Sequence, residues 1–233
     1  SEKDKLSPDE IIKTYSIEDI YTKKILNSIE SHDEKFKKKL KDTNSVLAVF
    51  GSLVPTKGTY NRKGKARIFA KGGNIKNFVY NYKYSLGSIP SLERNSKGLG
   101  SINYITQNDA VVRSLPLIMQ FDERLFPTFG LEMIRVGEKK RSIIANLNDN
   151  GIKNILIKPY KFKTDRNSLI WVKYNRSLNN IYISAEKVFN DDFENNFFKD
   201  KYVLIGASAK GLFDTVKVPT GETLPGVQVH ANV

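Results

Sequence analysis

Residues 201–233 decide the fold, and they read KYVLIGASAKGLFDTVKVPTGETLPGVQVHANV. Residues 202–205 form a short apolar run without alternation, which predicts a strand buried on both faces. Gly206 ends the run, and the small residues after it predict a tight turn with close backbone approach. A loop containing Asp214 follows, and residues 226–232 then predict the first turns of a helix.

The length of 233 residues suits one large domain or two small ones. We predict a single domain over residues 1–233, with a helical N-terminal part at 1–44 and a sheet-containing body at 45–233. No stretch reaches the roughly 18 apolar residues that cross a bilayer, and no secretory signal is present. Ser1 is not a natural start, so we expect a piece of a longer protein. The lack of cysteine excludes disulfides, thiol catalysis and cysteine-ligated zinc.

The net charge of +13 allows two interpretations. One is an anionic partner, either nucleic acid or lipid headgroups, and the other is a lysine-rich solvated surface. The densest basic run, residues 35–41, fits an amphipathic helix with lysines outside. Because aromatic and arginine residues do not alternate, and no DNA-binding motif occurs, we expect no specific nucleic-acid partner.

The hydrophobic pattern predicts an α/β fold, with α+β as the alternative. We expect a mixed, mainly central sheet with helices on its faces plus an antiparallel hairpin. Predicted strands lie at 45–54, 67–69, 152–157, 168–174 and 202–205. Predicted helices lie at 17–31, 35–41, 127–135 and 226–232, and others begin after Ser7, Ser91 and Ser184. The hairpin joins residues 99–105 to 111–121 through a polar turn, with an edge position or a bend near Pro116.

Several residues carry expectations about burial. In the N-terminal helices, the inward residues are predicted to be Ile17, Ile20, Tyr21, Ile25, Ile29, Phe36 and Leu40. In the helix at 127–135 they are Phe129, Met133 and Ile134. Asp33 is the predicted cap of the lysine-rich helix, and residues 56–74 are a predicted exposed loop around a short strand.

The candidate chemical motifs do not form an active site. Gly206 and Gly211 have the spacing of a phosphate loop, but Leu212 and Phe213 stand where that loop needs lysine and a hydroxyl. His32 and His230, the two histidines, have no partner at helical spacing, and no serine-nucleophile motif occurs. We therefore predict no catalytic residue, no metal and no cofactor. His230 is interpreted as a buried histidine that hydrogen-bonds the loop around Asp214, and Asp109 with Arg113 as a structural pair across the turn.

The residues of this C-terminal stretch closely resemble a family signature. They are Ile205, Gly206, Ala207, Ala209, Gly211, Asp214, Pro219, Pro225, Gly226, Val227, His230, Ala231 and Asn232. Weaker matches precede them in the right order at 98–103, at Asp109 to Pro116, at 126–132 and at 183–188. Together they resemble the second subtype of the CHASE domains, the cyclase- and histidine-kinase-associated sensory extracellular domains.

The resemblance implies a periplasmic or extracellular sensor that drives a cytoplasmic effector. Such a domain follows one transmembrane helix and usually precedes three, so the helix begun at Pro225 is expected to continue toward the membrane. The effector is a nucleotide cyclase, a histidine kinase or a serine/threonine kinase. The signature residues then have structural or signal-relay roles: Asp109, Arg113, Gly206, Ala207, Gly211, Asp214, Pro219, Pro225, Gly226, His230 and Asn232.

One departure from the family pattern concerns the first strand–helix–strand unit, which is missing before Ser1. A domain without it exposes a strand edge or exchanges elements with a second copy, so a homodimer is an open alternative.

Three functional hypotheses remain open from the sequence. The first is the sensory module of a membrane-bound signalling protein, most simply an adenylate or guanylate cyclase, with an unknown small molecule or periplasmic partner. The second is a soluble α/β enzyme acting on an anionic small molecule near Gly206 and Gly211. The third is a basic scaffold that binds nucleic acid or a membrane.

Overall fold

Short helices and strands alternate along the chain in the computed structural model, which describes residues 4–106, 108–174, 182–190, 193–194, 196–208 and 214–233. The helices are α1 (Pro8–Thr14), α2 (Ile20–Asn27), α3 (His32–Asp42), α4 (Pro90–Asn95), α5 (Phe129–Gly137), α6 (Ala185–Phe189) and α7 (Gly226–Ala231). The strands are β1 (Val46–Ser52), β2 (Arg67–Lys71), β3 (Asn81–Tyr82), β4 (Tyr84–Leu86), β5 (Gly98–Ser101), β6 (Ile105–Thr106), β7 (Val112–Pro116), β8 (Ile118–Phe121), β9 (Arg124–Pro127), β10 (Ser142–Asn148), β11 (Gly151–Ile157), β12 (Tyr160–Lys163), β13 (Leu169–Trp171), β14 (Thr215–Lys217) and β15 (Thr223–Pro225). These helices and several sheets confirm the predicted α/β class.

The fold divides into two units. Unit 1 comprises Ser1–Asn103 and Pro116–Leu169, and unit 2 comprises Tyr104–Leu115 and Ile170–Val233. The polypeptide passes from one unit to the other within β7 and again within β13.

Side-chain caps set the starts of the first three helices of unit 1. Ser7 caps α1 with its hydroxyl, and Asp19 caps α2 with its carboxylate. Ser31, and not the predicted Asp33, caps α3 by accepting a hydrogen bond from the Glu34 N–H at 3.2 Å. The predicted cap was therefore two residues too late.

The predicted inward face of these helices is mostly wrong. Leu40 is buried as expected and Ile17 is half-buried. The remaining residues of that set are exposed: Ile20, Tyr21, Ile25, Ile29 and Phe36. Ile20 is 83% exposed. An apolar stripe at helical spacing identifies a helix, but it does not supply the surface against which the stripe packs.

β1 confirms the strand predicted at 45–54 and lies at the centre of the order β4-β1-β5. β5 pairs with it in parallel, with Val46 opposite Gly98, and α5 packs on both strands. A Cβ atom on Gly100 of β5 would lie 2.6 Å from the Cα of Phe129. Glycine at this position therefore allows the start of α5 to touch the sheet.

α5 begins two residues later than predicted and turns a different face inward. Its buried residues are Leu131, Glu132, Arg135 and Val136, whereas the predicted Phe129, Met133 and Ile134 are half-buried. The buried face contains two charged residues, which a search for apolar periodicity treats as solvent-facing.

Two further sheets complete unit 1. One has the order β12-β11-β10-β2, of which the sequence predicted only β2 and β11. The other has the order β3-β8-β9, where Phe121 stacks on Phe126 at 5.1 Å between ring centroids and meets the ring of Tyr82 edge-on. Phe121 and Phe126 join the buried cluster of Val49, Leu99 and Met119.

The predicted hairpin is confirmed only near its turn. β6 and β7 pair antiparallel, with Ile105 opposite Ser114. Residues 98–101, expected in the first arm, instead pair with β1, and the second arm divides into β7 and β8 after Pro116. β7 lies at the centre of β13-β7-β6, so Pro116 marks the predicted bend and not an edge strand.

Unit 2 contains this sheet, the β14–β15 hairpin, α6 and α7. Ser184 caps α6 as predicted. Six buried residues form its core: Val112, Leu115, Val172, Val216, Val218 and Val229. This core is small and contains no aromatic side chain among its buried members.

The strand predicted at 202–205 is the largest error. In the described part of the chain these residues form no strand, and Ile205 is 95% exposed. A continuous apolar run becomes a buried strand only where neighbouring strands supply backbone partners and side chains cover both faces.

Candidate functional site

The β14–β15 hairpin and α7 bring several signature residues together in unit 2. Thr215 of β14 lies opposite Pro225 of β15, and Asp214 stands directly before β14. The Gly226 N–H donates to the Asp214 carbonyl oxygen at 3.0 Å. Asp214, Pro225 and Gly226, far apart in the sequence stretch, therefore meet where the hairpin ends and the helix starts.

Gly226 is packed against the side chain of Asp214. Gly226 is buried, and a Cβ atom on it would lie 2.4 Å from Oδ1 of Asp214. A glycine is required here because the carboxylate occupies the space that any side chain would enter.

Gly206 makes a second close approach to α7. A Cβ atom on Gly206 would lie 2.5 Å from the Cβ of Val227, so the close packing predicted for this turn is confirmed. Ala207 beside it is half-buried. Gly211 and the neighbouring residues 209–213 lie outside the described residues.

α7 carries its signature residues into the core of unit 2. Val229 is fully buried in the valine-rich cluster, and His230 next to it is buried as predicted. The Tyr182 hydroxyl donates to Oε1 of Gln228, and the Asn232 side-chain amide donates to the Gln228 carbonyl oxygen at 2.7 Å. The helix is thus held on the core by its apolar side and closed at its end by Asn232.

Pro219 has a different place in the same hairpin. It follows the buried Val218, is itself exposed, and begins the turn in which Gly221 has φ of +85°. The Gly221 N–H donates to the Val218 carbonyl oxygen at 3.0 Å, so Pro219 belongs to a tight turn between β14 and β15.

Asp109 and Arg113 form the predicted ion pair. Two hydrogen bonds from the Arg113 guanidinium reach the carboxylate, at 3.0 Å and 2.6 Å, and the Val111 N–H adds a third at 3.1 Å. The hydrogen bond from Arg113 is the main reason that the pKa of Asp109 is lowered to about 2. Val111 also bridges to Lys217 of β14, which places this turn beside the signature hairpin.

Two tyrosines surround the core beside these residues. Burial raises the pKa of Tyr174 to about 12, and its hydroxyl donates to the Val112 carbonyl oxygen at 2.8 Å. Burial also raises the pKa of Tyr104, and the negative charge of Asp214 adds to the increase. At neutral pH both phenols stay protonated, so neither serves as a base.

Unit 1 holds two buried ion pairs that the sequence did not identify. Arg62 lies in the predicted exposed loop but is only 2% exposed, and its Nε donates to Oε1 of Glu93 at 2.8 Å. Its guanidinium also lies 3.9 Å from the ring centroid of Tyr60, whose hydroxyl donates to Glu93. Basic residues on both sides of Arg62 gave no signal that this one turns inward.

The second buried pair joins Glu132 to Arg135 on α5. Two hydrogen bonds of 2.7 Å connect the guanidinium to both carboxylate oxygens. Arg135 also donates to the carbonyl oxygens of Lys97 and Lys140, and the Leu99 N–H donates to Glu132. Burial raises the pKa of Glu132, and the guanidinium opposes that rise. The pair fastens α5 to β5 and to the turn that precedes β10.

The described residues assemble no metal site, since no three His, Cys, Asp or Glu side chains come together there. His32 is exposed at the start of α3. Across the described ranges, every helix also falls short of the length and apolar character needed to cross a bilayer. The signature residues therefore connect a hairpin to a helix.

The comparison with protein families gives this arrangement a class. The CHASE2 domain model matches residues 6–233. The chain therefore belongs to the CHASE2 domain family, as the sequence resemblance predicted. CHASE2 domains are non-catalytic, extracellular sensory domains of membrane signalling proteins. No curated protein and no solved structure matches the chain.

Proposed function

We propose that this chain is the extracytoplasmic signal-input domain of a membrane-bound bacterial signalling protein, with an adenylate or guanylate cyclase as its effector. The domain lies on the periplasmic side of the inner membrane and reports the state of a small molecule or a periplasmic partner. The observation that carries the proposal is the family match over residues 6–233. A histidine kinase or a serine/threonine kinase is the second candidate effector.

The mechanism assigns the output to α7. Val229 of α7 is buried among valines from β7 and β14, and Gly226 is hydrogen-bonded to Asp214. A rearrangement of this core therefore changes the position of the helix. A stimulus shifts the equilibrium only if it binds two conformations of the domain with different affinities.

Reading the parent gene beyond Val233 is the first test. We expect apolar membrane spans followed by a cyclase domain. A kinase domain in that position would favour the second candidate, and a cytosolic enzyme domain without membrane spans would contradict both.

The functional test uses the parent protein in isolated membranes. Residues 6–233 are deleted, and cyclic AMP and cyclic GMP formation is measured across changes of pH, osmolarity and divalent cations. We expect the deletion to change the basal rate or to abolish a response. Unchanged rates under every condition would contradict a sensory role.

A point variant separates the relay from the fold. Val229→Ala shortens a buried side chain of α7, and we expect an altered response at an unchanged amount of protein. Glu222→Ala in the exposed turn of the same hairpin is the matched control. Equal behaviour of the two variants would contradict a relay through α7.

A further inference from the structure

One face of the sheet β12-β11-β10-β2 in unit 1 is basic and open to solvent. We call it the basic sheet face and define it by Arg67 and two cross-strand rows. One row contains Phe69, Ile144, Leu156 and Lys161, and the other contains Lys71, Asn146, Asn154 and Lys163. Strand spacing of about 4.8 Å makes the face roughly 14 Å wide from β2 to β12.

The alternation of burial shows that these rows point outward together. Ile143 and Ala145 of β10 are fully buried on the opposite face, whereas Ile144 and Asn146 between them are half-buried. β11 repeats the pattern, with Ile155 buried and Leu156 half-buried. Phe69 on the edge strand β2 is 52% exposed. The face therefore presents an apolar row to solvent.

The charges on these strands have one sign. β2, β10, β11 and β12 carry five cations and, within these described strands, no carboxylate. The cations are Arg67, Lys71, Lys153, Lys161 and Lys163. The nearest acidic residues along the chain, Asp149 and Asp165, lie in the turn before β11 and after β12.

These cations also differ from other basic residues of the chain. In the described residues none of the five is in an ion pair, whereas Lys37, Lys38 and Lys76 each pair with a glutamate. Residues 1–44 carry ten lysines balanced by ten acidic residues, so the positive excess belongs to the later part of the chain. The lysine-rich α3 is therefore not the source of the net charge.

We propose that the basic sheet face docks on the surface of an anionic phospholipid bilayer. Long basic side chains at the two edges reach headgroup phosphates while Phe69, Ile144 and Leu156 contact the glycerol and upper acyl region. The CHASE2 family supplies the bilayer, since these domains belong to membrane proteins. The proposal goes beyond the sensory role and does not depend on which effector the parent carries.

Two other occupants fit the face less well. Single-stranded nucleic acid needs several stacking aromatics, and the face offers only Phe69 in its two rows. A second copy packed face to face would bring two sets of five cations together, which like-charge repulsion opposes.

Vesicle co-sedimentation tests the proposal with the chain as it is. The vesicles contain three parts phosphatidylethanolamine and one part phosphatidylglycerol, and vesicles of phosphatidylcholine alone serve for comparison. We expect binding to the anionic vesicles, weakened by added salt, and none to phosphatidylcholine. Absence of binding to the anionic vesicles at low salt would overturn the proposal.

Charge variants locate the surface. The quadruple variant Arg67→Gln, Lys71→Gln, Lys161→Gln, Lys163→Gln removes four cations from the face. Each loss is expected to weaken binding about fivefold, so the variant binds more than a hundredfold less tightly. The matched control Lys24→Gln, Lys35→Gln, Lys39→Gln, Lys41→Gln removes the same charge from exposed positions of α2 and α3. Equal losses in both variants would show nonspecific attraction and overturn the assignment.

An apolar variant separates lipid docking from simple anion binding. Phe69→Thr keeps a β-forming residue and every charge but removes the ring. We expect weaker binding to the anionic vesicles and unchanged elution from a heparin column. An unchanged vesicle affinity would show that the face attracts anions without contacting the bilayer, and would overturn docking.

Discussion

The two units of this protein are held together by different interactions. Unit 1 combines stacked aromatic rings with the buried ion pairs Arg62–Glu93 and Glu132–Arg135. Unit 2 relies on a small valine-rich cluster, half-buried tyrosines and close contacts at glycines. Buried charge pairs are costly to separate, whereas a small aliphatic core rearranges at lower cost. The comparison indicates that unit 2 is the part suited to change conformation, and it contains the α7 relay.

The largest effect is expected from breaking the buried pair on α5. Glu132→Ala leaves Arg135 buried without its carboxylate, and we expect a loss of about 3–5 kcal/mol in the free energy of unfolding of unit 1. Amide hydrogen exchange of β5 and α5 measures it. Glu123→Ala, which removes an exposed pair with Lys76, is the control and should cost at most about 1 kcal/mol. Similar losses in both variants would remove the distinction drawn for unit 1.

A smaller effect is expected at Gly100, where the obstacle is backbone. Gly100→Ala places a Cβ against the Cα of Phe129, which shifts only if α5 moves from the sheet. We expect a loss of about 1–3 kcal/mol, measured by the same exchange experiment. Gly58→Ala, with open space around Gly58 but a φ of +91°, reports the cost of backbone conformation alone. The interpretation fails if Gly100→Ala proves neutral.

At Gly226 of unit 2 the obstacle is a side chain, so the effect should be smaller and reversible. Gly226→Ala directs a Cβ at the Asp214 carboxylate, and we expect a loss of about 1 kcal/mol in the stability of α7. Combining it with Asp214→Ala removes the obstacle, so the double variant should lose less than the sum of the singles. Additive losses, measured by exchange of α7 amides, would show that the carboxylate does not restrain the helix.

The smallest effect concerns the exposed pair of unit 2. The pKa of Asp109 is lowered to about 2, so its contribution to stability is present above its ordinary value of 3.8 and is lost as pH falls toward 2. A carboxyl carbon titration by NMR should show a midpoint near 2. In Arg113→Gln the midpoint should rise toward 3.8, while the Val111 N–H still holds it slightly lower. A midpoint that does not move would contradict the assignment of Arg113 as the main cause.

Much of the site was predictable because it consists of local features. Asp109 and Arg113 pair across a short turn, Gly206 allows a close turn, and the helix at residues 226–232 is observed as α7. The buried pairs were not predictable, since Arg62 and Glu132 look like other charged residues until the chain folds around them. The order of signature residues named the family, although their roles remain predictions.

The sequence by itself determined the α/β class, the helix starts capped by Ser7, Asp19 and Ser184, and the CHASE2 family. Each depends on residues that are neighbours along the chain or on their order. Only the tertiary structure decided which apolar runs are buried. Leu99 enters the core while Ile205 stays exposed, although both stand in apolar runs ended by glycine. Burial depends on what another part of the chain brings against a segment, and composition alone does not contain that information.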